Sequence, residues 1–456
     1  MNIYVFGTGN YYASARSFID RSGILCFLDN DDAKDNTVFD GKQVKKPKSV
    51  DFSKCDCVLV MILRYQDVVS QLLSLGVKRD RIVLFSELND LYPVKAKIMS
   101  GRRELSMQQW IKQNSDRKKV YLICHELSRN GISVVLMHLA ELLKKMGYGV
   151  VLAGLLSGEI QKELSEKEID HMPQINYCYG SREFREFIEC IDYVVPGTIG
   201  ISDVVSRICG SKTKILWWIH ESNDRDFEDF PLYFEPGIRY FGGGTRVIEC
   251  FGRHYPDKKI EKLLYFLPSE NPQLKVFHKT FKIAIIGLVN RRKGQDIFIE
   301  ALQKIPKIHN ETLEIDFIGK YIEPVVDLNA IESEFGIHYI SELTQEELKN
   351  YYTSLDLLVC PSRDDPMPVV VTQAMQNGIP CIVSNQVGQS EYINDGINGF
   401  VFESEDAEQL ASRITFCLKN KEKMEDIGIK SKTIYDKYFS ENAMRNNLEH
   451  IFNSYL

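Results

Sequence analysis

Three adjacent cations follow a strand-like apolar run in the carboxyl-terminal half of the chain. The run 282–286 ends at Gly287, and Arg291, Arg292 and Lys293 stand just before a segment with helical periodicity. The start of a helix already carries partial positive charge, so cations there are unfavourable unless they neutralise an anion. The spacing therefore predicts a diphosphate site at Gly287 and the three cations, with Arg292 preferred over Arg291 as the partner of Lys293. A solvated basic loop is the alternative interpretation.

A second group of polar residues lies on a later loop and the helix after it. Asp365 and Gln373 are eight positions apart across a loop-to-helix turn. At the carboxyl end of a parallel sheet, a carboxylate in such a turn can bind sugar hydroxyls and an amide can bind ribose hydroxyls. Gly388, Gln389 and Ser390 begin another predicted helix, and their backbone N–H groups would face the phosphates. Acids in surface turns more often face solvent, which is the alternative.

The order of these motifs resembles the carboxyl-terminal domain of family-4 retaining glycosyltransferases. From residue 281 to about 402 the chain keeps the order and spacing of that pattern. The matching segments are 293–294, 361–365, 374–375, 378–380 and 395–399. The resemblance implies the GT-B fold, a nucleotide diphosphate sugar as donor, with a UDP-sugar favoured, and retention of the anomeric configuration.

The amino-terminal half of the fold resembles the same family more loosely. The segment 124–131, which ends at Gly131, resembles the glycine loop that approaches the donor phosphates and the acceptor. The segment 217–222 resembles the strand end that carries a histidine at the cleft. The resemblance implies that His220 contacts the transferred sugar or moves a proton. His125 is interpreted as a structural residue.

Three features depart from the family pattern. Asp365 and Gln373 replace paired glutamates, Leu288 replaces an arginine, and Gln389 replaces the second glycine of the phosphate turn. Asp365 keeps the charge, whereas Gln373 loses a charge-assisted bond to the ribose. The resemblance still implies catalytic roles for Asp365 and Lys293 beside the histidine. An inactive relative of the family is the alternative.

Strand-like runs alternate with helical segments along the chain, which predicts parallel sheets with helices on both faces. Together with the resemblance, this predicts an α/β fold in which a small Rossmann-like domain precedes two facing Rossmann-type domains. The segment after the first domain is polar and basic, without a strand signal. The predicted divisions are an accessory domain at 1–95, a helical linker at 96–118, an acceptor domain at 119–278, a donor domain at 279–435, and a helix at 436–456 that packs back on the acceptor domain.

Composition limits the classes of partner. The net charge of −7 argues against a nucleic-acid partner. No run approaches the ~18 apolar residues of a membrane helix and no signal peptide is visible, so we expect a cytoplasmic protein, with peripheral contact at the inner face of the plasma membrane left open. The 11 cysteines show no Cys-x-x-Cys spacing and are interpreted as reduced core residues.

The sequence offers no dedicated site for a divalent metal. No Asp-x-Asp cluster or His/Asp set suggests one, so we predict no metal, no cofactor, and a donor diphosphate neutralised by protein cations and helix dipoles. The resemblance implies a glycan or lipid-linked oligosaccharide acceptor in capsule or other surface polysaccharide synthesis. A protein acceptor is the alternative.

The first domain opens with a variant of a dinucleotide-binding fingerprint. Gly7 and Gly9 are followed by Tyr12 at the position of the third glycine, and Asp29 ends the second strand, where it is well placed to bind a ribose. The third glycine permits close packing of helix on strand, and Tyr12 would splay the two apart. We therefore predict an interaction or regulatory module without turnover. The alternatives for the chain are an NAD-dependent oxidoreductase and a non-catalytic nucleotide-sugar-binding protein.

Overall fold

Parallel strands alternate with helices and form three sheets, which confirms the predicted alternation. The computed structural model describes residues 1–92, 96–210, 212–268, 280–305 and 313–454. Two compact units divide the chain, the first comprising Met1–Phe241 and Cys250–Glu261, the second Gly242–Glu249 and Lys262–Leu456. The predicted boundary between residues 278 and 279 lies outside the described residues.

The first sheet belongs to the accessory domain. Its strands are β1 (Ile3–Phe6), β2 (Ile24–Leu28), β3 (Val38–Phe39), β4 (Lys42–Lys45), β5 (Cys57–Val60) and β6 (Ile82–Leu84), and its helices are α1 (Asn10–Ala15), α2 (Gln66–Ser74) and α3 (Leu88–Leu91). The strand order is β3-β4-β2-β1-β5-β6, and all pairs are parallel except β3 with β4. Strands covered on both faces are apolar throughout, and β1 and β5 are buried at every position.

The second sheet follows along the chain. Its strands are β7 (Lys97–Ser100), β8 (Arg103–Ser106), β9 (Lys119–Glu126), β10 (Gly149–Leu156), β11 (Asp170–Met172), β12 (Tyr193–Pro196), β13 (Lys214–Ile219), β14 (Ile238–Gly242) and β15 (Ile260–Lys262). The helices are α4 (Met107–Gln113), α5 (Gly131–Lys145), α6 (Gln161–Glu166), α7 (Arg182–Ile188), α8 (Ser202–Ile208), α9 (Asp224–Asp229) and α10 (Thr245–His254). The order is β15-β14-β13-β12-β9-β10-β11-β7-β8, so the connections reverse direction between β9 and β12.

The third sheet lies in the second unit. Its strands are β16 (Phe281–Ile286), β17 (Leu313–Ile318), β18 (Ile337–Ile340), β19 (Leu357–Cys360), β20 (Cys381–Ser384) and β21 (Phe400–Phe402), and its helices are α11 (Gln295–Lys304), α12 (Leu328–Phe335), α13 (Gln345–Tyr352), α14 (Val369–Gln376), α15 (Ala407–Lys419), α16 (Lys421–Tyr438) and α17 (Glu441–Asn453). All strands are parallel in the order β18-β17-β16-β19-β20-β21. This is the Rossmann order. In such a sheet the ligand crevice lies where the strand order reverses, which here is at the carboxyl ends of β16 and β19.

The prediction of a helical linker at 96–118 is wrong. The antiparallel hairpin β7–β8 extends the second sheet through β11, and α4 follows it. Ile98 and Leu105 face each other in the hairpin and are buried, whereas Lys97, Glu104 and Ser106 beside them are charged or polar. One apolar pair is too short a pattern to predict a strand. Trp110 of α4 is fully buried and donates a hydrogen bond of 2.8 Å to Asp170, so this segment is part of the core.

The accessory domain packs onto the second sheet's domain, and both lie in the first unit. Tyr11, Tyr65 and Phe85 follow the carboxyl ends of β1, β5 and β6. The ring of Phe85 lies 4.6 Å from Tyr11, 6.4 Å from Tyr65 and 6.5 Å from Tyr179, which precedes α7. The edge at which a Rossmann sheet binds ligands is thus lined by aromatic contacts with the neighbouring domain.

The last helix, α17, belongs to the second unit and contacts α16. Residues just before it also bond within that unit, since the N–H of Leu267 donates to the carbonyl of Phe439 at 3.0 Å. The packing of the segment 436–456 on the acceptor domain stays a prediction.

These contacts make the amino-terminal region necessary for the stability of the first unit. We expect a fragment that starts at residue 115 to be poorly soluble or less stable, because it lacks β7, β8 and α4 and exposes Tyr179. In the full chain, Trp110→Ala is expected to cost about 3–5 kcal/mol. Val38→Ala is the control, because that side chain is largely exposed. Soluble yield and denaturant unfolding measure both effects, and a soluble fragment with the thermal midpoint of the full chain would contradict the expectation.

Candidate functional site

Two loops meet at the crevice of the third sheet. After β16, the side chain of Asn290 accepts a hydrogen bond from the N–H of Lys293 at 3.0 Å and so caps a single 3-10 turn. Gly294 then adopts φ +73°, and α11 begins. A Cβ at position 294 would lie 2.1 Å from the carbonyl oxygen of Pro361, in the loop after β19. Glycine therefore allows the backbones of the two loops to touch.

The site contains a close ion pair that joins these loops. Lys293 Nζ lies 2.5 Å from Asp365 Oδ2, and the two side chains are 13% and 10% exposed. Arg292 donates to the carbonyl of Asp364 at 2.7 Å and lies 3.5 Å from the same carboxylate oxygen. The structure therefore brings together Lys293, Arg292 and Asp365 from the two predicted motifs. Arg291 is exposed, and its backbone N–H donates to Glu323 at 2.9 Å.

Arg363 also stabilises the contact between these loops. It was not among the predicted residues. Its guanidinium donates two hydrogen bonds of 2.8 Å to Asp296 and one of 2.5 Å to Glu405. It also donates to the carbonyl of Arg291 at 2.6 Å. These carboxylates raise the pKa of Arg363 above its usual range, so the charge is permanent. No local spacing could reveal this role, because the two acids lie 67 and 42 residues away along the chain.

Gln373 lies on α14 and is partly buried. Its Oε1 accepts a hydrogen bond of 3.2 Å from the hydroxyl of Tyr352 on α13. Tyr352 is buried, and no sequence motif singles it out. The side chain predicted to bind ribose therefore already has a partner within the unit, and its contact with a ribose stays a prediction.

Two of the three backbone N–H groups predicted to face the phosphates at 388–390 have partners within the unit. The N–H of Gly388 donates to the carbonyl of Asp365 at 3.0 Å, and the N–H of Ser390 donates to Val387 at 2.9 Å. The segment is a short 3-10 helix, and the contact of this turn with a phosphate stays a prediction. A Cβ at Gly388 would lie 1.7 Å from the carbonyl oxygen of Pro366.

The side chain of Gln389 points into the protein interior. Its Nε2 donates to the carbonyl of Pro368 at 2.8 Å and to Thr372 at 3.0 Å, and the residue is fully buried. The glutamine that replaces the family's second glycine therefore holds this loop against the start of α14. The side chain thus supports the Asp365 loop, and the predicted contact of the Gln389 backbone N–H with a phosphate stays a prediction.

His220 and Glu221 follow the carboxyl end of β13 in the first unit. Burial lowers the pKa of His220 to about 3, so the imidazole is neutral near pH 7. Its Nε2 has no hydrogen-bond partner among the described residues. Glu221 accepts hydrogen bonds from Thr198 and from the N–H groups of Ile199 and His220, the latter two at 3.2 Å. A neutral histidine of this kind can accept a hydrogen bond but is a weak base.

Gly131 begins α5 at the carboxyl end of β9, near the point where the second sheet reverses. The side chain of Asn130 caps the helix by accepting from the N–H of Ser133 at 3.0 Å. A Cβ at Gly131 would meet no atom within 4 Å, so the space above the helix start is open. This geometry agrees with an approach by donor or acceptor, which stays a prediction. His125 Nε2 lies 3.5 Å from Glu126, as a structural residue would.

The accessory domain also contacts α9, the helix that follows His220 and Glu221 along the chain. Arg64 bonds Asp226 at 2.7 Å and also pairs with Asp229. The hydroxyl of Tyr65 donates to Asp203 on α8 at 2.7 Å. These contacts come from the loop after β5, beside Gly7, and they connect the first sheet to the segments after β12 and β13.

The side chains of the dinucleotide fingerprint in the first sheet bond to other residues of the protein. Asp29, the predicted ribose ligand, pairs with Lys34 at 2.8 Å and accepts from Thr8 at 3.0 Å. Tyr12 is fully buried, packs edge-on against Phe27, and donates to Asp40 at 2.6 Å. These contacts agree with a module that binds protein rather than a dinucleotide.

One group in the described part of the chain could hold a metal ion, although no metal site was predicted. It consists of Asp224, Cys250 and His254, whose ligand atoms lie within 4.8 Å of one another.

Comparison with known proteins identifies the family. Residues 268–433 match the family model described as glycosyl transferases group 1, and residues 116–231 match that described as glycosyl-transferase family 4. Both regions of the chain after the accessory domain thus match glycosyltransferase models, and the fold is that of the GT-B glycosyltransferases. Its first 83 residues match a separate amino-terminal domain model, described as C2185-like. The resemblance and the predicted fold class are thereby confirmed.

Curated relatives of this glycosyltransferase are distant. Spore coat protein SA of Bacillus subtilis is 28% identical over 182 residues, covering 37% of the chain and 48% of that protein. The amylovoran biosynthesis glycosyltransferase AmsK of Erwinia amylovora is 26% identical, covering 34% of the chain and 41% of its own length. The first three relatives are matched over only 48%, 34% and 42% of their lengths.

Solved structures with the same fold include Anabaena HepE in complex with UDP and glucose, at a TM-score of 0.62 and 13% identity, covering 74% of this chain and 100% of HepE. Staphylococcus aureus TarM, in a complex that contains UDP, matches with a TM-score of 0.59 and 11% identity over 74% of the chain and 100% of TarM. In the described residues of the glycosyltransferase, no helix combines the length and apolar content needed to cross a membrane.

The close approach at Gly388 predicts a steric requirement for glycine. We expect Gly388→Ala to destabilise the glycosyltransferase by about 1–3 kcal/mol, because the new methyl group would collide with the backbone of Pro366. Gly131→Ala is the matched control, since open space surrounds that position. Denaturant unfolding of both variants measures the difference. Equal stability of the two variants would contradict the proposed packing of the Asp365 loop.

Proposed function

We propose that this glycosyltransferase moves a sugar from a nucleoside diphosphate sugar to a glycan or lipid-linked oligosaccharide acceptor in surface polysaccharide synthesis. The observation that carries the proposal is the placement of Lys293, Arg292 and Asp365 at the crevice of a Rossmann-ordered sheet. UDP is the favoured nucleotide, because the HepE and TarM structures with the same fold contain it. AmsK, by its name, acts in amylovoran biosynthesis, which supports a polysaccharide acceptor.

Lys293 and Arg292 would neutralise the donor diphosphate. When the bond between sugar and phosphate breaks, negative charge accumulates on the β-phosphate, and fixed cations stabilise it. The ion pair of Lys293 with Asp365 keeps the ammonium group in place before the donor arrives. Asp365, at the same point, can accept hydrogen bonds from hydroxyls of the transferred sugar.

Gln373 would bind the ribose through its amide, with Tyr352 fixing the orientation of that amide. A neutral amide makes a weaker bond to a hydroxyl than the glutamate of the family pattern. This substitution is therefore expected to lower nucleotide affinity rather than to remove it.

His220 would contact the transferred sugar through its unpartnered Nε2. Because burial keeps the imidazole neutral, we propose that it accepts a hydrogen bond from a sugar hydroxyl instead of removing a proton in the chemical step. Attack from the same face as the departing diphosphate, with retention of configuration, is proposed from the family resemblance.

The experiment that tests the activity is a donor panel. The purified chain is incubated with UDP-glucose, UDP-galactose, UDP-N-acetylglucosamine and GDP-mannose, and release of the nucleoside diphosphate is measured. We expect slow hydrolysis of one donor in the absence of acceptor. A chain that binds a donor tightly yet releases no diphosphate from any of them, with or without glycan acceptors, would instead be a binding protein.

The role of the ion pair predicts two different kinetic effects. Lys293→Ala should weaken UDP binding by about tenfold or more, since charge-assisted hydrogen bonds contribute about 1.5–3 kcal/mol. Asp365→Asn should reduce turnover more than UDP affinity, because it removes a charge near the sugar while the asparagine amide oxygen can still accept a hydrogen bond from the Lys293 ammonium. Calorimetry with UDP and initial rates with the hydrolysed donor measure the two effects.

Lys304→Ala is the matched control for the cation, because Lys304 lies at the end of α11 and pairs with Glu300 at 3.6 Å on the surface. Its UDP affinity should equal that of the unchanged chain. If Lys293→Ala binds UDP as tightly as this control does, the cation is not a phosphate ligand.

Transfer is proposed to need no divalent metal at the diphosphate, because protein cations supply the charge. Activity should therefore persist after treatment with a chelator. An activity that disappears in chelator and returns on addition of magnesium or manganese would show that a metal, not Lys293 and Arg292, neutralises the donor.

A further inference from the structure

Within the first unit, α9 and the last turn of α10, from Cys250 onward, bring together three side chains that are common metal ligands. Cys250 and His254 are four residues apart on α10, so both project from one face of that helix. Asp224 is the first residue of α9. The carboxylate, thiol and imidazole atoms lie within 4.8 Å of one another.

Two of the three distances between ligand atoms are close to those expected around a tetrahedral zinc ion. With Zn–S of about 2.3 Å and Zn–N and Zn–O of about 2.0 Å, tetrahedral angles place S and O about 3.5 Å apart and N and O about 3.3 Å apart. Cys250 Sγ lies 3.5 Å from Asp224 Oδ1, and His254 Nε2 lies 2.9 Å from the same oxygen. The imidazole and carboxylate would have to separate by only about 0.4 Å.

Neighbouring groups hold two of these ligands in position. The imidazole of His254 stacks on the ring of Phe227, with centroids 5.3 Å apart and an interplanar angle of 13°. Arg253 Nη2 lies 2.9 Å from Asp224 Oδ1 and 3.2 Å from Oδ2. Arg253 is exposed, so it can move to Oδ2 alone and leave Oδ1 for a metal, as outer-shell partners of metal-bound carboxylates do.

We propose that Asp224, Cys250 and His254 form a zinc site that joins α9 to α10. A thiolate with an imidazole and a carboxylate favours zinc over magnesium or calcium, which prefer oxygen ligands. On binding, Cys250 loses its proton to solvent and the thiolate bonds the ion, so no oxidant or reductant takes part. The thiolate and carboxylate together neutralise Zn²⁺, and Asp224 lies on the exposed side, where water can complete the tetrahedron.

The site is separate from the proposed transfer reaction and does not rest on it. Its consequence is structural, because the ion would fix the helix after His220 and Glu221 to the helix that follows β14. Binding of zinc to the folded chain alone raises its stability by mass action.

The test uses the full-length chain, stripped with chelator under reducing conditions and titrated with zinc in competition with a chromophoric zinc indicator. We expect one equivalent to bind, and Cys250→Ser and His254→Gln each to abolish this binding. Arg253→Ala should weaken binding about 10–100-fold without removing it. Cys190→Ser is the matched control, because that cysteine is exposed in the same unit and lies outside the group.

Cobalt gives an independent readout of the thiolate ligand. Co²⁺ should produce a thiolate-to-cobalt absorption band in the near ultraviolet, and the Cys250→Ser variant should lack that band. Circular dichroism in chelator establishes that the variants fold like the unchanged chain. Absence of zinc binding by the unchanged chain, or binding that Cys250→Ser and His254→Gln leave intact, overturns the proposal. Neither result bears on donor hydrolysis, which is measured separately.

Discussion

The close pairing of Lys293 with Asp365 determines how the third sheet presents its ligand crevice. Taking an ammonium and a carboxylate out of water costs several kcal/mol per ion, and only a close, well-oriented pair offsets that cost. The pair therefore requires the loops after β16 and β19 to touch. The glycine at position 294 permits this contact, because any side chain there would collide with the backbone of Pro361.

A second set of interactions holds those loops without facing the donor. Arg363 binds Asp296 and Glu405, and Gln389 is buried against the start of α14. These contacts add to the loop contacts that Lys293 and Arg292 make with Asp365 and Asp364. The packing of Gln389 also explains how a glutamine can replace a glycine of the family pattern: its side chain points inward, where Thr372 and Pro368 accept its hydrogen bonds.

In the first unit, a Rossmann-like sheet uses its ligand-binding edge for another purpose. Tyr11 and Phe85 pack toward Tyr179 of the neighbouring domain, and Arg64 holds the acidic helix α9. The accessory domain thereby supports the segment that follows His220. The ligand-binding edge of this sheet is covered by contacts with the neighbouring domain. This agrees with the regulatory or interaction module expected from the altered fingerprint.

The sequence alone determined the alternation of strands and helices, because buried parallel strands require continuous apolar runs, and it placed Lys293 near Asp365 through the order of the motifs. Tertiary structure decided what the other polar groups do. Arg363 finds its acids far along the chain, and Gln373 meets Tyr352 through the packing of α13 on α14. The hairpin β7–β8 joins the second sheet by pairing with β11, which lies far along the chain. The spacing of nearby residues predicts which of them share a helix face or a strand. The partners of Arg363, Gln373 and the hairpin depend instead on how separate elements pack, which nearby residues do not determine.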